Sequence, residues 1–178
     1  MTAIPSQASR TFAAGLRRIE RSGDRATLAE IRRFADGRPR SLVGLATVAS
    51  LGAPLEDDGG LAAYELVAGL FAFYHRGTVT EAAASGDLGW SFGSLAAKDP
   101  EAEGPRRRFQ TLLESRWDGL DDQLRRAISL LRAKGVPVDW AALLDGVLGW
   151  DRPDRRTQDA WATSFVRATT KHLKEEVA

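Results

Sequence analysis

The chain has 178 residues, no cysteine and two histidines, with 25 Lys+Arg set against 24 Asp+Glu. A length of this order suits one domain or two small ones, and 43% hydrophobic with 28% charged residues is a globular rather than a disordered composition. Without cysteine there is no disulfide framework, thiolate nucleophile, iron–sulfur cluster or cysteine zinc site, and the longest apolar run, Leu66 to Tyr74, falls far short of the roughly 20 residues that span a bilayer.

Residues 1–20 carry Arg10, Arg17 and Arg18 among small residues and lack a secretory apolar region, so a cytoplasmic protein is expected. Phe12, Leu16 and Ile19 form one stripe and predict a helix over 6–21. Asp24 is placed to cap a second helix through Ala35, with Leu28, Ile31 and Phe34 inward and Gly37 ending it. Pro39 can open a third helix containing Leu42, Val43, Leu45 and Val48, stopped near Gly52. From Gly60 to His75 the sequence is apolar nearly all round, which predicts a buried central helix, with His75 at its end interacting with free carbonyls and the dipole.

Residues 77–94, rich in Gly, Thr, Ser and Ala, predict a long loop. Beyond Gly104-Pro105 come the stripes Phe109, Leu112, Leu113, Trp117 and then Leu120, Leu124, Ala127, Ile128, Leu131. Gly135 and Pro137 break the chain, Asp139 caps a short helix with Trp140, Leu143, Leu144 and Val147, and Pro153 can begin a last helix carrying Trp161, Phe165 and Leu173. No stretch alternates with period two. The prediction is an all-α protein of two small helical bundles, residues 1–100 and 101–178, joined by a loop-rich linker.

Phosphate-binding glycine motifs are absent. His172 and Glu175, three apart, are too few ligands for a metal site, and Asp57-Asp58 reads as a solvated loop. Asp121-Asp122 stand four residues before Arg125-Arg126, an arrangement that predicts i,i+4 pairs. Nothing in the sequence makes an enzyme, and no cofactor or metal is expected.

Charge is placed unevenly: +5 over residues 1–50, −7 over 51–105, +4 over 106–134 and −1 thereafter. Arg outnumbers Lys 21 to 4, a bias that suits phosphate recognition and that a GC-rich genome would also produce. Clustering is more informative than composition. Arg106, Arg107 and Arg108 crowd the start of a helix, where the dipole disfavours cations but where free N–H groups can hold a phosphate. Arg32, Arg33, Arg38 and Arg40 crowd another helix end, Arg125 and Arg132 flank an apolar stripe, and Arg155-Arg156 open the last helix. The aromatics fall at core spacing, so backbone binding without sequence readout is the better nucleic-acid reading.

These segments resemble the CasB family, the small subunit of the type I-E CRISPR Cascade surveillance complex. The matching pieces are Leu28-Ala29-Glu30-Ile31-Arg32-Arg33, the helix Leu66 to Ala72, Ser91-Phe92-Gly93-Ser94-Leu95, Arg106 to Leu113, Leu124-Arg125-Arg126, Val138-Asp139-Trp140, and Trp150 through Trp161 to Phe165. The resemblance implies a non-catalytic helical subunit that sits as a pair among other Cascade subunits. It would contact the guide RNA and target DNA backbones, stabilising the R-loop and the displaced strand. By motif position Arg33, Arg106, Arg107, Arg125, Arg126, Arg155 and Arg156 correspond to the family's basic positions, with Arg116 a looser match. The acidic Glu56-Asp57-Asp58 stretch departs from basic residues that some members carry there. The alternative is a helical protein-interaction adaptor with no direct nucleic-acid contact.

Overall fold

The computed structural model describes residues 4–77, 84, 86–99 and 101–177, with side chains as far as Lys171. The expectations for Leu173, His172 and Glu175 therefore lie outside the described side chains. Among the described residues the secondary structure is entirely helical.

α1 (Gln7–Arg21) starts where the Ser6 hydroxyl accepts the Ser9 N–H, and α2 (Arg25–Arg32) starts where Asp24 accepts that of Thr27. Both satisfy N–H groups that a helix cannot bond within itself. α2 ends three residues earlier than expected, and turns carry the chain to Gly37, whose φ is +62°. α3 (Leu42–Ser50) is opened by Ser41 rather than Pro39, because the Ser41 hydroxyl accepts the Gly44 N–H. Its Leu42 and Val43 face outward.

α4 (Asp58–Tyr74) is the buried centre. Asp57 and Asp58 open it instead of forming a loop, placing negative charge at the positive end of the helix dipole. Around it pack α2, α3 and two helices from later in the chain, α7 (Leu120–Ala133) and α8 (Trp140–Leu148). At its far end the Tyr74 hydroxyl donates to the Val136 carbonyl at 2.7 Å. His75 does not serve the dipole as a cation. Its side chain is buried against Phe71, Tyr74 and Trp140, and burial, then the Arg17 charge, holds its pKa down at about 4.

Of the loop expected over residues 77–94, residues 78–83 and 85 lie outside the described residues, and its last part belongs to α5 (Leu88–Ala97), capped by Asp87, which accepts the Trp90 N–H. Glycines hide this helix from a search for apolar stripes. Gly89 and Gly93 let α5 lie directly on the backbone of α9 (Arg156–Val177), where an added Cβ would stand 1.9 Å from the Trp161 carbonyl oxygen and 2.4 Å from that of Phe165.

α6 (Glu103–Glu114) leads through a 3₁₀ turn at Trp117–Gly119 into α7, whose five predicted core residues are all buried. Asp139 caps α8, as expected. α8 packs on α1, where Asp145 accepts from the Ser6 N–H at 2.6 Å, the Ser6 hydroxyl at 2.8 Å and the Ser9 hydroxyl at 2.6 Å. The last helix begins at Arg156, later than Pro153. One buried cluster runs from Phe12 to Trp161, with members on both sides of residue 100.

Candidate nucleic-acid interface

Several of the predicted arginines are engaged by the fold. In the turn after α2, Arg125 on α7 donates Nη1 to the Ala35 carbonyl at 2.9 Å and Nη2 to the Asp36 carboxylate at 3.0 Å. Its acid partner is therefore Asp36 across the fold, not Asp121 one turn back. Arg132, two turns along α7, does the same at the end of α4, donating to the Arg76 carbonyl at 2.7 Å. Both guanidiniums lie over Phe73, at 5.8 and 5.6 Å from the ring centre. Arg33, half-buried, lies 3.4 Å from Glu30 on its own helix.

Arg155 is a left-handed residue with φ +49°, a conformation that side chains other than glycine seldom adopt. Its Nη2 donates to the Leu113 carbonyl at 2.7 Å, which ties the start of α9 to the end of α6. The Trp150 indole N–H donates to Ser115 at the same corner. Arg116, the residue after Ser115, is exposed, and Arg156 shares Asp154 with Arg152 at 2.9 and 3.2 Å.

Arg106 and Arg107 are exposed on the opening turns of α6, with Arg107 paired to Glu103. They stand about 10 Å along the helix from the Leu113 carbonyl that Arg155 engages, at 1.5 Å per residue. Arg126 is on the outward side of α7. The eight predicted positions are thus dispersed: Arg33 and Arg125 at the α2–α7 corner, Arg155 and Arg156 at the start of α9, Arg116 just after α6, Arg106 and Arg107 at the opening of α6, and Arg126 on the outer face of α7.

This division has a measurable consequence. Arg125→Ala breaks a charged hydrogen bond and a carbonyl cap at a partly exposed site, so it is expected to cost about 1–2 kcal/mol. At about 2–4 °C per kcal/mol for a chain of this length, thermal melting should fall by several degrees. Arg126→Ala should stay within about 0.5 kcal/mol of the parent.

Among the described residues, no group of three or more His, Asp or Glu could hold a metal ion, and no helix is long and apolar enough to cross a membrane. Asp87, whose carboxyl is raised by burial, is occupied as a cap and accepts the Ser164 hydroxyl at 2.8 Å.

Residues 27–165 match the family model of CRISPR-associated protein Cse2. The chain belongs to the Cse2 family. A 73-residue stretch is 36% identical to the CRISPR-associated protein Cse2 of Thermus thermophilus, covering 40% of this chain and 41% of that one. The crystal structure of M. ruber CasB superposes with a TM-score of 0.71 at 26% identity, over 86% of this chain and 89% of the other. A chain of a structure described as a CRISPR RNA-guided surveillance complex has the same fold, with a TM-score of 0.78 at 22% identity over 96% of this chain and 99% of that one.

In this Cse2-family chain two groups join arginines clustered in the sequence to residues that the sequence did not single out as sites. Arg40 reaches both oxygens of the buried Glu65 at 2.8 Å, at the rim of a cavity of about 370 Å³ shared with Arg38 and Trp117. Lys98, Lys134 and Arg108 line a second cavity. Arg108 belongs to the cluster already visible in the sequence, and only the scarcity of lysine could have drawn attention to its two companions.

Proposed function

We propose that this chain is the non-catalytic small subunit of a type I-E Cascade complex, present there as a pair. In that position it binds the guide RNA and target DNA backbones and stabilises the R-loop and displaced strand. The observation that carries this reading is the Cse2-family match across residues 27–165. Arginines exposed at several separate places on the surface give it physical support. R-loop formation exchanges a DNA duplex for a hybrid of similar stability, so modest contacts to a displaced strand tip the balance. Contacts to phosphates alone supply such binding without reading sequence.

The test is R-loop lifetime in a complex assembled with and without this subunit, together with single-strand binding by the isolated chain. A shorter R-loop lifetime without the subunit is expected. Single-strand affinity should fall with salt by roughly 0.7 log units per log unit of salt for each phosphate contact. Equal binding at low and high salt, with an R-loop lifetime unaffected by the subunit, would leave the protein-adaptor reading instead.

A further inference from the structure

Arg108, Lys98 and Lys134 come from three different helices and converge on one cavity of about 390 Å³, between the end of α5, the start of α6 and the end of α7. Asp99 is the one acid among its lining residues. None of the three cations has a carboxylate partner among the described residues, unlike Arg33, Arg40, Arg107 and Arg125. Lys98 also lines an adjoining cavity of about 150 Å³ walled by Trp90, Ser94 and Pro137. Lys134 and Gly135 are chain neighbours, one lining each cavity, so the two form a continuous furrow.

The composition makes this placement unusual. Only four lysines occur in the chain, against 21 arginines. Two line the furrow, and a third, Lys171, stands 5.9 Å over the Trp90 ring. A cation is favoured at any helix C-terminus, which accounts for Lys98 and Lys134 singly as the C-caps of α5 and α7. It does not account for both ends meeting Arg108 in one hollow. The opening turn of α6 also faces the furrow, with no side chain capping it, and adds its positive end to the same field.

We propose that this furrow carries the backbone of a single-stranded nucleic acid, with Lys98, Lys134 and Arg108 on successive phosphates and Trp90 as the surface on which one base stacks. The proposal rests on the nucleic-acid reading above and assigns it a path marked by one arginine of the 106–108 cluster and by two lysines that the sequence did not single out. Lysine is a hydrated point charge that meets phosphate without a fixed geometry, which suits a strand of any sequence. An indole at the narrower end requires a base that is not paired, because only an unstacked base offers its face.

The test uses the full chain and a labelled mixed-sequence single-stranded DNA, followed by anisotropy at two salt concentrations. A duplex of the same sequence and thermal melting of every variant run alongside. Lys98→Glu/Lys134→Glu should stay folded, melting a few degrees below the parent because two favoured helix-end cations are reversed, and lose about tenfold or more in affinity, with a salt slope smaller by roughly 1.4. Trp90→Ala should lose roughly fivefold or more, and Trp90→Phe should keep most of the binding. Arg18→Glu/Arg21→Glu makes the same charge change on the exposed end of α1 and should have a much smaller effect.

If the parent itself fails to bind single strands at low salt, the functional reading falls and this proposal with it. If the parent binds while the lysine variant binds equally well, or the α1 control loses as much, the furrow is overturned and the wider reading stands. A lysine variant that binds DNA normally but no longer joins the other subunits marks the furrow as a protein contact, which also overturns the proposal.

Discussion

Gly89→Ala should destabilise the protein by about 2 kcal/mol or more, although alanine is the better helix former by roughly 1 kcal/mol. The cause is the contact between α5 and α9. A Cβ at position 89 would lie 1.9 Å from the Trp161 carbonyl oxygen and 2.7 Å from its carbon, and one at position 93 would meet Phe165 and Ala168. These are mostly backbone atoms of a helix already bonded along its length, so they cannot swing aside as a flexible side chain would. Overpacking a close interface typically costs about 1–3 kcal/mol, and here α9 must move as a unit. A fall in melting temperature of about 4–8 °C or more is expected. Gly59→Ala is the matching control, because a Cβ there on α4 meets only Asp57 Oδ1, at an ordinary contact distance of 3.7 Å, and should leave melting unchanged or raise it. Equal melting of Gly89→Ala and the parent would mean that the two helices do not touch as described.

That seam also shows where the sequence stops being legible. α4 and α7 could be read directly: the all-round apolar run became the buried centre, and the five-residue stripe from Leu120 to Leu131 is buried throughout. α5 could not, because its contact is made by the absence of side chains at Gly89 and Gly93, and an absence carries no stripe. In α3, Leu42 and Val43 are apolar but stand 85% and 56% exposed, since hydrophobicity alone does not say which side of a short helix is covered.

The candidate site divides in the same way. Arginine clusters are visible in a sequence, but the carbonyls that engage them are not. Arg125 meets Ala35 from 90 residues away, Arg132 meets Arg76 from 56 and Arg155 meets Leu113 from 42. Spacing on one helix predicted Asp121 as the partner of Arg125, because i,i+4 neighbours are all that a local reading can see. The fold offered better acceptors, the Ala35 carbonyl in the turn after α2 and the neighbouring Asp36 carboxylate. A basic residue at a helix flank is thus as much a candidate cap for another element as a candidate phosphate ligand, and only the tertiary contact separates the two roles.

Acid should weaken the fold through His75 before most carboxylates titrate. The ring lies against Phe71, Tyr74 and Trp140, at centroid distances of 4.4, 5.0 and 6.0 Å. Neither ring nitrogen has a hydrogen-bond partner among the described residues. α1 presents two charges to it: Glu20, 3.9 Å from Nδ1 and beyond hydrogen-bond reach, and Arg17, whose guanidinium sits 5.7 Å from the centre of the Phe71 ring. Burial, then Arg17, lowers the His75 pKa from 6.5 to about 4. Between those values the unfolded chain holds a proton that the folded chain refuses. Stability must therefore fall as pH drops from about 6.5 toward 4, and this contribution is flat outside that window. The full difference is on the order of 3 kcal/mol, so at pH 4.5 the melting temperature should lie roughly 5–10 °C lower on this account alone. His75→Phe keeps an aromatic ring in the pocket and removes both unpartnered nitrogens. It should melt near the parent at pH 7 and lose distinctly less on acidification. The measurement is the difference in melting temperature between pH 7 and pH 4.5 for the two proteins. If they lose the same amount, the acid-sensitive group is a carboxylate elsewhere in the molecule, and His75 packs at the end of α4 without titrating in this range.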